Sequence, residues 1–280
     1  MGCADMQKLS VVELKEKARQ LRISVIKMLS EAGSGHSGGS LGMADVFACV
    51  YFGGVMQYDP KNPDWSERDR FILSNGHICP IRYAAMAEAG FFPKEELLTL
   101  RKINSRLQGH PSITNLPGLE SSNASLGQGL GIACGKALAA RLDEKKHWVF
   151  CCISDGECDE GSTWEAVMFA SHHKISNLIA FIDDNGTQMD GDSKNIIDLE
   201  PLEKKFQEFG WEAWACNGHD IPAILAAFEK AKALKSDKPR IIIFKTVIGK
   251  GVSFMEGKWQ WHGKAPNKEE TAQALKELGA

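Results

Sequence analysis

The sequence has no apolar run that approaches the roughly 20 residues needed for a membrane-spanning helix. Residues 1–10 also lack the apolar core of a secretory signal peptide. These two absences argue against a protein that crosses a membrane or is exported through one. We therefore expect a cytoplasmic protein with no membrane as a partner.

The eight cysteines form no Cys-x-x-Cys pair, which argues against a zinc ribbon or a dithiol redox site. They are Cys3, Cys49, Cys79, Cys134, Cys151, Cys152, Cys158 and Cys216. Several stand inside apolar runs, so we expect reduced thiols packed in the interior. The net charge is −3, and the lysines and arginines are spread along the chain. The sequence therefore lacks the basic stripe that nucleic-acid binding needs. Nucleic acid is therefore not an expected partner, whereas small molecules and other proteins are.

What the sequence does contain is a regular alternation of short apolar, β-rich runs with longer stretches of helical periodicity. The predicted strands are 70–74, 147–154, 177–183, 211–216 and 240–247. The predicted helices are 10–31, 41–52, 79–89, 94–101, 127–142, 160–173, 198–209 and 221–235. This alternation predicts an α/β fold with a mostly parallel sheet and helices on both faces. Because no linker stands out, we expect one domain over residues 1–280.

Acidic and amide side chains collect directly after two neighbouring predicted strands. Asp155 follows the run 147–154, and Asn185 lies just beyond the run 177–183. The carboxyl ends of parallel strands meet at one edge of a sheet, where ligands bind in such folds. Carboxylate, amide and backbone carbonyl oxygens suit a Mg²⁺ ion that completes its shell with water and phosphate oxygens. Gly156 would let the backbone approach such a phosphate closely.

The same residues also have a purely structural interpretation. Asp155, Asp159 and Glu160 could cap the helix that follows, and Asn185-Gly186 could be an ordinary turn. The residues alone leave both interpretations open and slightly favour the structural one.

The stretch SDGECDEG (154–161), followed by IDDNGTQMDG (182–191), closely resembles the thiamine-diphosphate motif of transketolases. The resemblance implies a Mg²⁺ ion held by the side chains of Asp155 and Asn185 and by the main-chain carbonyl of Thr187. Ca²⁺ and Mn²⁺ are alternative ions. The fold it implies is the diphosphate-binding domain of that family.

The same resemblance places Gly156 and Glu157 at the cofactor. It assigns Glu160 to the subunit interface, where two cofactor sites communicate. Two positions depart from the family pattern, since Ser154 replaces the usual glycine and Asp184 stands where split chains often have asparagine. Neither departure removes an implied metal ligand.

Five of the eight histidines adjoin a glycine, which is unusual placement for imidazoles. Loop histidines among small residues are expected to stay partly wet, with a pKa near neutrality that suits proton transfer. For each one, the alternative is a turn-capping or otherwise structural histidine. His219, which precedes the predicted N-cap Asp220, is expected to be structural.

Four of these histidines stand in contexts that resemble transketolase motifs: GHSGGSLGMAD for His36, LSNGH for His77, GHP for His110 and a Trp-rich basic segment before His262. The resemblance implies that His77 and His262 contact the diphosphate and the reacting centre. It implies that His36 and His262 handle protons on the acceptor carbonyl, and that His110 holds the terminal hydroxyl of the donor.

The stretch SSNASLGQG (121–129) resembles the family loop that lines the thiazolium and diphosphate side of the cofactor. It implies cofactor contacts from Ala124, Leu126 and Gly127. Gly127 and Gly129 are expected to open a helix whose first N–H groups bind an anion.

The resemblance covers only the amino-terminal half of a full-length transketolase, and the family's activating glutamate for the pyrimidine ring belongs to the other half. It therefore implies a split enzyme, inactive alone, in which two copies pair with two copies of a complementary C-terminal, pyrimidine-binding subunit (α2β2). A piece of a longer protein is the alternative. The interface is expected to include aromatic residues, although each candidate could equally lie in the core. The candidates are Trp164, Phe169, Phe181 and Trp211.

The implied reaction transfers a two-carbon ketol unit from a ketose phosphate to an aldose phosphate, as in the pentose phosphate pathway. Related enzymes remain alternatives: a deoxyxylulose-phosphate synthase-like enzyme, a sulfo-sugar or apiose-pathway transketolase, or a 2-oxo acid dehydrogenase α subunit. The dehydrogenase should lack the GHSGGSLG and GHP loops that this chain contains. From another class, a non-catalytic subunit could hold the cofactor in an assembly, although it would not need His36 or His110.

Overall fold

The structure is a computed structural model and describes residues 8–280. Within this range, five parallel strands form the central sheet: β1 Arg70–Leu73, β2 Val149–Ser154, β3 Leu178–Asp184, β6 Glu212–Asn217 and β7 Arg240–Lys245. Their order across the sheet is β1-β2-β3-β7-β6. Two short strands, β4 Thr187–Gln188 and β5 Gly191–Asp192, form an antiparallel hairpin beyond the end of β3.

The α-helices between residues 8 and 280 are α1 Val11–Ala32, α2 Gly38–Gly42, α3 Ala44–Phe52, α4 Cys79–Ala89, α5 Gly129–Leu142, α6 Gly161–His172, α7 Ser193–Ile196, α8 Leu202–Glu208, α9 Ile221–Ala233 and α10 Lys268–Glu277. Short 3-10 helices occupy Gly76–Ile78, Lys94–Thr99, Gly156–Asp159 and Trp259–Trp261.

Helices cover both faces of the sheet because successive strand residues point to opposite sides. Phe150 and Phe181 belong to a core shared with α1, α3, α4 and α9. Their sequence neighbours Cys151 and Ala180 belong to a second core shared with α5, α6 and α8. The predicted α/β fold with a mostly parallel sheet is therefore confirmed.

Glycines and local backbone geometry shift two predicted helices. The predicted helix 41–52 is interrupted at Met43, whose backbone (φ −83°, ψ 2°) leaves helical geometry between α2 and α3. The predicted helix 127–142 begins only at Gly129. Gly127 cannot belong to it, because its φ of +80° lies in the left-handed region.

Two further helices differ from the prediction. The predicted helix 198–209 begins only at Leu202, because Pro201 is extended and disfavours helical backbone in the residue before it. The predicted helix 94–101 is the 3-10 helix Lys94–Thr99, and the backbone becomes extended directly after it.

The interface aromatics predicted from the sequence divide between core and surface. Phe181 is fully buried and Trp211 is 2% exposed, so the interface prediction is wrong for these two. Phe181 lies on a central strand, and the indole Nε1 of Trp211 donates to the carbonyl of Val167 in α6 at 3.0 Å. Trp164 is partly buried against the second core, whereas Phe169 is 41% exposed on α6.

The cysteines between residues 8 and 280 are free thiols, six of them buried and Cys216 half-buried, which agrees with the predicted packing role. Cys3 lies outside the described residues. No helix in the described part of the chain is both long and apolar enough to cross a membrane.

Replacing Trp211 with alanine should lower the free energy of unfolding by about 3–5 kcal/mol, because it leaves a large cavity and removes the indole donor from Val167. Chemical denaturation followed by circular dichroism measures this cost. The matched control is Trp259→Ala at a position that is 37% exposed, where we expect a cost below about 1 kcal/mol. Equal costs for the two variants would contradict the assignment of Trp211 to the core.

Candidate active site

A cavity of about 290 Å³ lies at the carboxyl edge of the sheet, beyond the ends of β1, β2 and β3. It is lined by residues from segments that are far apart in sequence, as expected for a ligand site in a parallel sheet. They are His36, His77, Ala124, Leu126, Ser154, Asp155, Gly156, Asn185, Thr187, Gln188, Met189 and His262.

Asp155 and Asn185 lie side by side because β2 pairs with β3 in a register that sets Ser154 opposite Asp183. Asp155 Oδ2 accepts hydrogen bonds from the backbone N–H of Gly186 at 3.1 Å and from Ser193 Oγ at 2.8 Å. Neither Asp155 nor Glu160 makes the side-chain capping bond that the structural interpretation required.

The amide oxygen of Asn185 is held next to the third residue of the implied metal set. Asn185 Oδ1 accepts from the backbone N–H of Thr187 at 3.0 Å and from Thr187 Oγ1 at 2.6 Å. The donor set is therefore a carboxylate, an amide oxygen and a nearby main-chain carbonyl, all of which are hard oxygen ligands.

Negative charge accumulates at this edge of the sheet. Burial, aided by the neighbouring carboxylates Asp183 and Asp184, raises the pKa of Asp155 to about 7 against the opposing hydrogen bond from Ser193. Asp184 pairs with Lys245. A divalent cation would relieve the repulsion at Asp155, so the residues present fit such an ion.

The side chains described at this cavity cannot hold a metal ion without further ligands from the backbone or from a bound molecule. Between residues 8 and 280, no group of three or more His, Cys, Asp or Glu side chains is arranged to bind a metal ion. An ion at Asp155 would therefore take further oxygens from Asn185, from the backbone and from a ligand such as a phosphate.

Gly156 begins the 3-10 turn Gly156–Asp159 directly beside Asp155. A Cβ atom at this position would lie 3.0 Å from Cγ of Gln188. The Gln188 side chain is held by its own hydrogen bond to Asp159 Oδ2 at 2.9 Å. The absence of a side chain at Gly156 therefore keeps this wall of the cavity open to a ligand.

The four histidines implied by the family motifs cluster at this cavity. The ring centroids of His36 and His77 are 5.2 Å apart, and His262 lies 5.8 Å from His36 and 5.1 Å from His77. His110 stands 6.5 Å from His36, outside the cavity lining. His77 sits in the turn after β1, whereas the others come from loops, so the tertiary fold alone brings them together.

Burial lowers the pKa of every member of this cluster. The pKa of His36 falls to about 4 through desolvation, with smaller contributions from His262, Arg101 and His110. The pKa of His77, which is more deeply buried, falls well below its usual value. The four histidines are half-buried, as expected for partly wet imidazoles. The expectation that they titrate near neutrality is wrong, because desolvation lowers their pKa values.

The backbone N–H groups at and just before the start of α5 donate hydrogen bonds to side chains of the protein itself. The backbone N–H of Gly127 donates to Glu157 Oε1 at 2.7 Å, and that of Gly129 donates to Ser74 Oγ at 2.9 Å. Ser74 also donates to the fully buried carboxylate of Glu157. These groups face one another rather than the cavity, whereas Ala124 and Leu126 do line it.

Some cavity residues had no individual signal in the sequence. Gln188 and Met189 line the cavity, because the hairpin of β4 and β5 folds back over the end of β3. Their position three and four residues after Asn185 could have suggested this, since a ligand at Asn185 must touch the chain that follows. Glu160 is exposed at the start of α6 and lies outside the cavity lining.

Comparison with known proteins identifies the family. The family profile described as "Transketolase, thiamine diphosphate binding domain" matches residues 14–280. The chain is 41% identical over 267 residues to the 6-deoxy-6-sulfo-D-fructose transketolase subunit of Clostridium sp., covering 95% of this chain and 96% of that one. It is 39% identical over 272 residues to an apulose-4-phosphate transketolase subunit of Actinobacillus succinogenes, covering 96% and 97%.

The fold is similar to that of solved transketolases. The structure of transketolase from Campylobacter jejuni matches with a TM-score of 0.90 and 34% sequence identity. The match covers 97% of this chain and 43% of that one. The chain therefore spans nearly the whole length of the subunit relatives and about two fifths of the full-length enzyme.

The lowered pKa of His36 predicts a pH-dependent stability. The unfolded chain binds a proton at this imidazole as the pH falls through 6.5, whereas the folded chain resists until about 4. The free energy of unfolding should therefore decrease as the pH falls between these values. In His36→Gln this part of the decrease should disappear, as measured by chemical denaturation at about pH 7.5 and about pH 5. His172→Gln, at an exposed position of α6, should keep the wild-type dependence, and an unchanged slope in His36→Gln would contradict the assignment.

Proposed function

Because the chain belongs to the transketolase family, we propose that it binds the diphosphate group of thiamine diphosphate through a Mg²⁺ ion. The ion would be held by the side chains of Asp155 and Asn185 and by the main-chain carbonyl of Thr187, with Ca²⁺ or Mn²⁺ as alternatives. The observation that carries this proposal is the meeting, at one cavity, of a hard-oxygen donor set with a cluster of neutral histidines. When bound, the cofactor supplies the nucleophilic carbon and the electron sink for making and breaking carbon–carbon bonds.

The open backbone at Gly156 would admit the phosphate oxygens beside Asp155. Ala124 and Leu126 form the apolar part of the opposite wall. Gly127 and Glu157 would act indirectly, because their mutual hydrogen bond fixes the loop that carries Ala124 and Leu126.

The histidines would bind substrate oxygens and move protons as neutral imidazoles. A neutral imidazole carries one N–H donor and one nitrogen acceptor, so a cluster of them can both accept and donate a proton at a hydroxyl or carbonyl oxygen. His36, His77 and His262 line the cavity and would do this at the reacting centre. His110, at 6.5 Å from His36, would hold the terminal hydroxyl of the donor.

The proposed reaction is the transfer of a two-carbon ketol unit from a ketose phosphate to an aldose phosphate, as in the pentose phosphate pathway. A second set of substrates is favoured by the relatives, since two similar subunits are named for a sulfo-sugar and for apulose 4-phosphate. The residues of this chain would surround the reacting end, which both substrate sets share. Residues around the distal end of the sugar would determine which of the two substrate sets is used.

We also propose that the catalytic unit needs a complementary, C-terminal subunit that carries the pyrimidine-binding domain, in an α2β2 complex with the active site between chains. The chain corresponds to only 43% of a full-length transketolase. Apolar side chains are exposed at the rim of the cavity and on α6, where a partner could cover them: Met189 is 53%, Trp259 37% and Phe169 41% exposed. Glu160, exposed at the start of α6, is proposed to lie at an interface between subunits.

Asp155→Ala should abolish the binding of thiamine diphosphate in the presence of Mg²⁺, because it removes the one carboxylate of the donor set. Isothermal titration calorimetry on the complex purified from its own cells measures this. The control is Asp190→Ala, an exposed carboxylate of the same loop, which should bind like the wild type. Undiminished binding by Asp155→Ala would refute the metal site.

Native mass spectrometry of the gently purified chain should show a complex that contains a second polypeptide and the added mass of thiamine diphosphate and Mg²⁺. The isolated chain should have no ketol-transfer activity, and adding the second polypeptide should restore it. Full activity of the isolated chain would contradict the split-enzyme proposal. A complex without cofactor mass after incubation with thiamine diphosphate and Mg²⁺ would contradict the cofactor proposal.

A further inference from the structure

Asp183 is a buried carboxylate at the end of β3 that makes its hydrogen bonds to neutral side chains. It is 1% exposed. Its Oδ1 accepts from Thr246 Oγ1 at 2.5 Å, and its Oδ2 accepts from Asn185 Nδ2 at 3.0 Å. Burying a carboxylate without a cationic partner is strongly unfavourable. A leucine or valine would fill a strand position more favourably, so the carboxylate needs another explanation.

Two hydrogen bonds determine which end of the Asn185 amide faces the cavity: its nitrogen donates to Asp183, and its oxygen accepts from the backbone N–H of Thr187. An amide has a nitrogen that only donates and an oxygen that only accepts, and the two ends have nearly the same shape. An ionised carboxylate can only accept, so it selects the nitrogen of Asn185 and turns the oxygen away. The oxygen then points to Thr187, on the side of the proposed metal ion.

Asp183 also contacts the two segments that carry cavity histidines. Thr246, which donates to it, begins the segment that leads to His262. On the other side, a Cβ atom at Gly39 would lie 3.4 Å from Asp183 Oδ2, so the helix that follows His36 packs directly against this carboxylate.

We propose that Asp183 is the positioning residue that orients the amide of Asn185 and thereby presents an oxygen, rather than a nitrogen, to the metal ion of the diphosphate site. The inference rests on the proposed function, because it concerns the same metal ion. Asp183 itself does not line the cavity, so it acts through Asn185 and through the Thr246 and Gly39 contacts.

Asp183→Leu is the first test, because an asparagine at this position could donate to the Thr246 hydroxyl and still accept from Asn185. Leucine removes the acceptor of the Asn185 nitrogen, so the amide is held by Thr187 alone and presents its oxygen to the ion less firmly. Since outer-shell changes at metal sites typically weaken binding about 10–100-fold, thiamine diphosphate with Mg²⁺ should bind about 10–100-fold more weakly. The same variant should remain folded, because it removes an unpaired buried charge.

The exchange variant Asp183→Asn/Asn185→Asp separates positioning from a general structural role. In it, the nitrogen at position 183 donates to a carboxylate at position 185, whose second oxygen faces the metal ion. The hydrogen bond is rebuilt with donor and acceptor exchanged, so this double variant should bind the cofactor at least about tenfold more tightly than Asp183→Leu. A merely structural loss would persist in the double variant.

Asp69→Asn is the matched control for removing a buried carboxylate. Asp69 is 3% exposed and lies just before β1, at the opposite edge of the sheet, where it accepts from the backbone N–H groups of Gln57 and Trp148 at 2.8 Å each. Its replacement should lower the melting temperature without changing cofactor affinity.

Isothermal titration calorimetry with thiamine diphosphate and Mg²⁺, on complexes purified from their own cells, reads affinity independently of turnover. Electron paramagnetic resonance with Mn²⁺ in place of Mg²⁺ reports the coordination shell, which should change in Asp183→Leu and be restored in the exchange variant. If the wild type binds and Asp183→Leu binds within about twofold of it, or the exchange variant binds no more tightly than Asp183→Leu, the positioning role is overturned alone. If the wild type does not bind, the proposed function is overturned and the role of Asp183 with it.

Discussion

The register between β2 and β3 is the constraint on which the candidate site depends. Both strands are buried on both faces, with the large side chains Phe150 and Phe181 in one core and the small side chains Cys151 and Ala180 in the other. A shift of one residue would exchange large for small side chains across the sheet, which close packing does not tolerate. This packing holds Asp155 beside Asn185, so the geometry of the proposed metal site is fixed largely by apolar contacts away from it.

Convergence of acids at one sheet edge creates a local excess of negative charge that the fold only partly compensates. Lys245 pairs with Asp184, and Ser193 and the backbone of Gly186 donate to Asp155. Asp183 receives only neutral donors. Residual repulsion of this kind destabilises the folded chain and favours a bound cation, so the affinity of the site for a metal ion and the stability of the fold oppose each other.

Sequence patterns predict some parts of this structure better than others. Four of the five sheet strands (β1, β2, β3 and β7) were predictable because each contains a continuous apolar run, which is a local property. The burial of Trp211 was not, because it depends on the carbonyl of Val167 in a helix 44 residues away. The lowered pKa values of His36 and His77 were missed for the same reason: a loop histidine is usually hydrated, and only the tertiary fold brings these rings within 5.2 Å of each other. Topology and the family motifs supplied the site residues, but not the hydrogen bonds that orient them.

The glycines beside His36 explain how loops hold a histidine cluster together. A Cβ atom at Gly38 would overlap the side chain of Ile248, so the glycine lets the segment after β7 approach the start of α2. The approach is fixed by hydrogen bonds from the backbone N–H of Gly249 to the Gly38 carbonyl at 2.9 Å and from Ser37 Oγ to the Lys264 carbonyl at 2.6 Å.

His219, expected to be structural, also anchors the segment that follows β7. Its Nε2 accepts from the backbone N–H of Val247 at 2.9 Å, while its Nδ1 bonds to Asp45 at 2.9 Å. The segment that delivers His262 to the cavity is therefore held at its beginning by one histidine and along its length by the glycines next to another. Glycine-rich and histidine-rich motifs coincide at this cavity because the glycines let the backbone segments that carry the imidazoles approach one another closely.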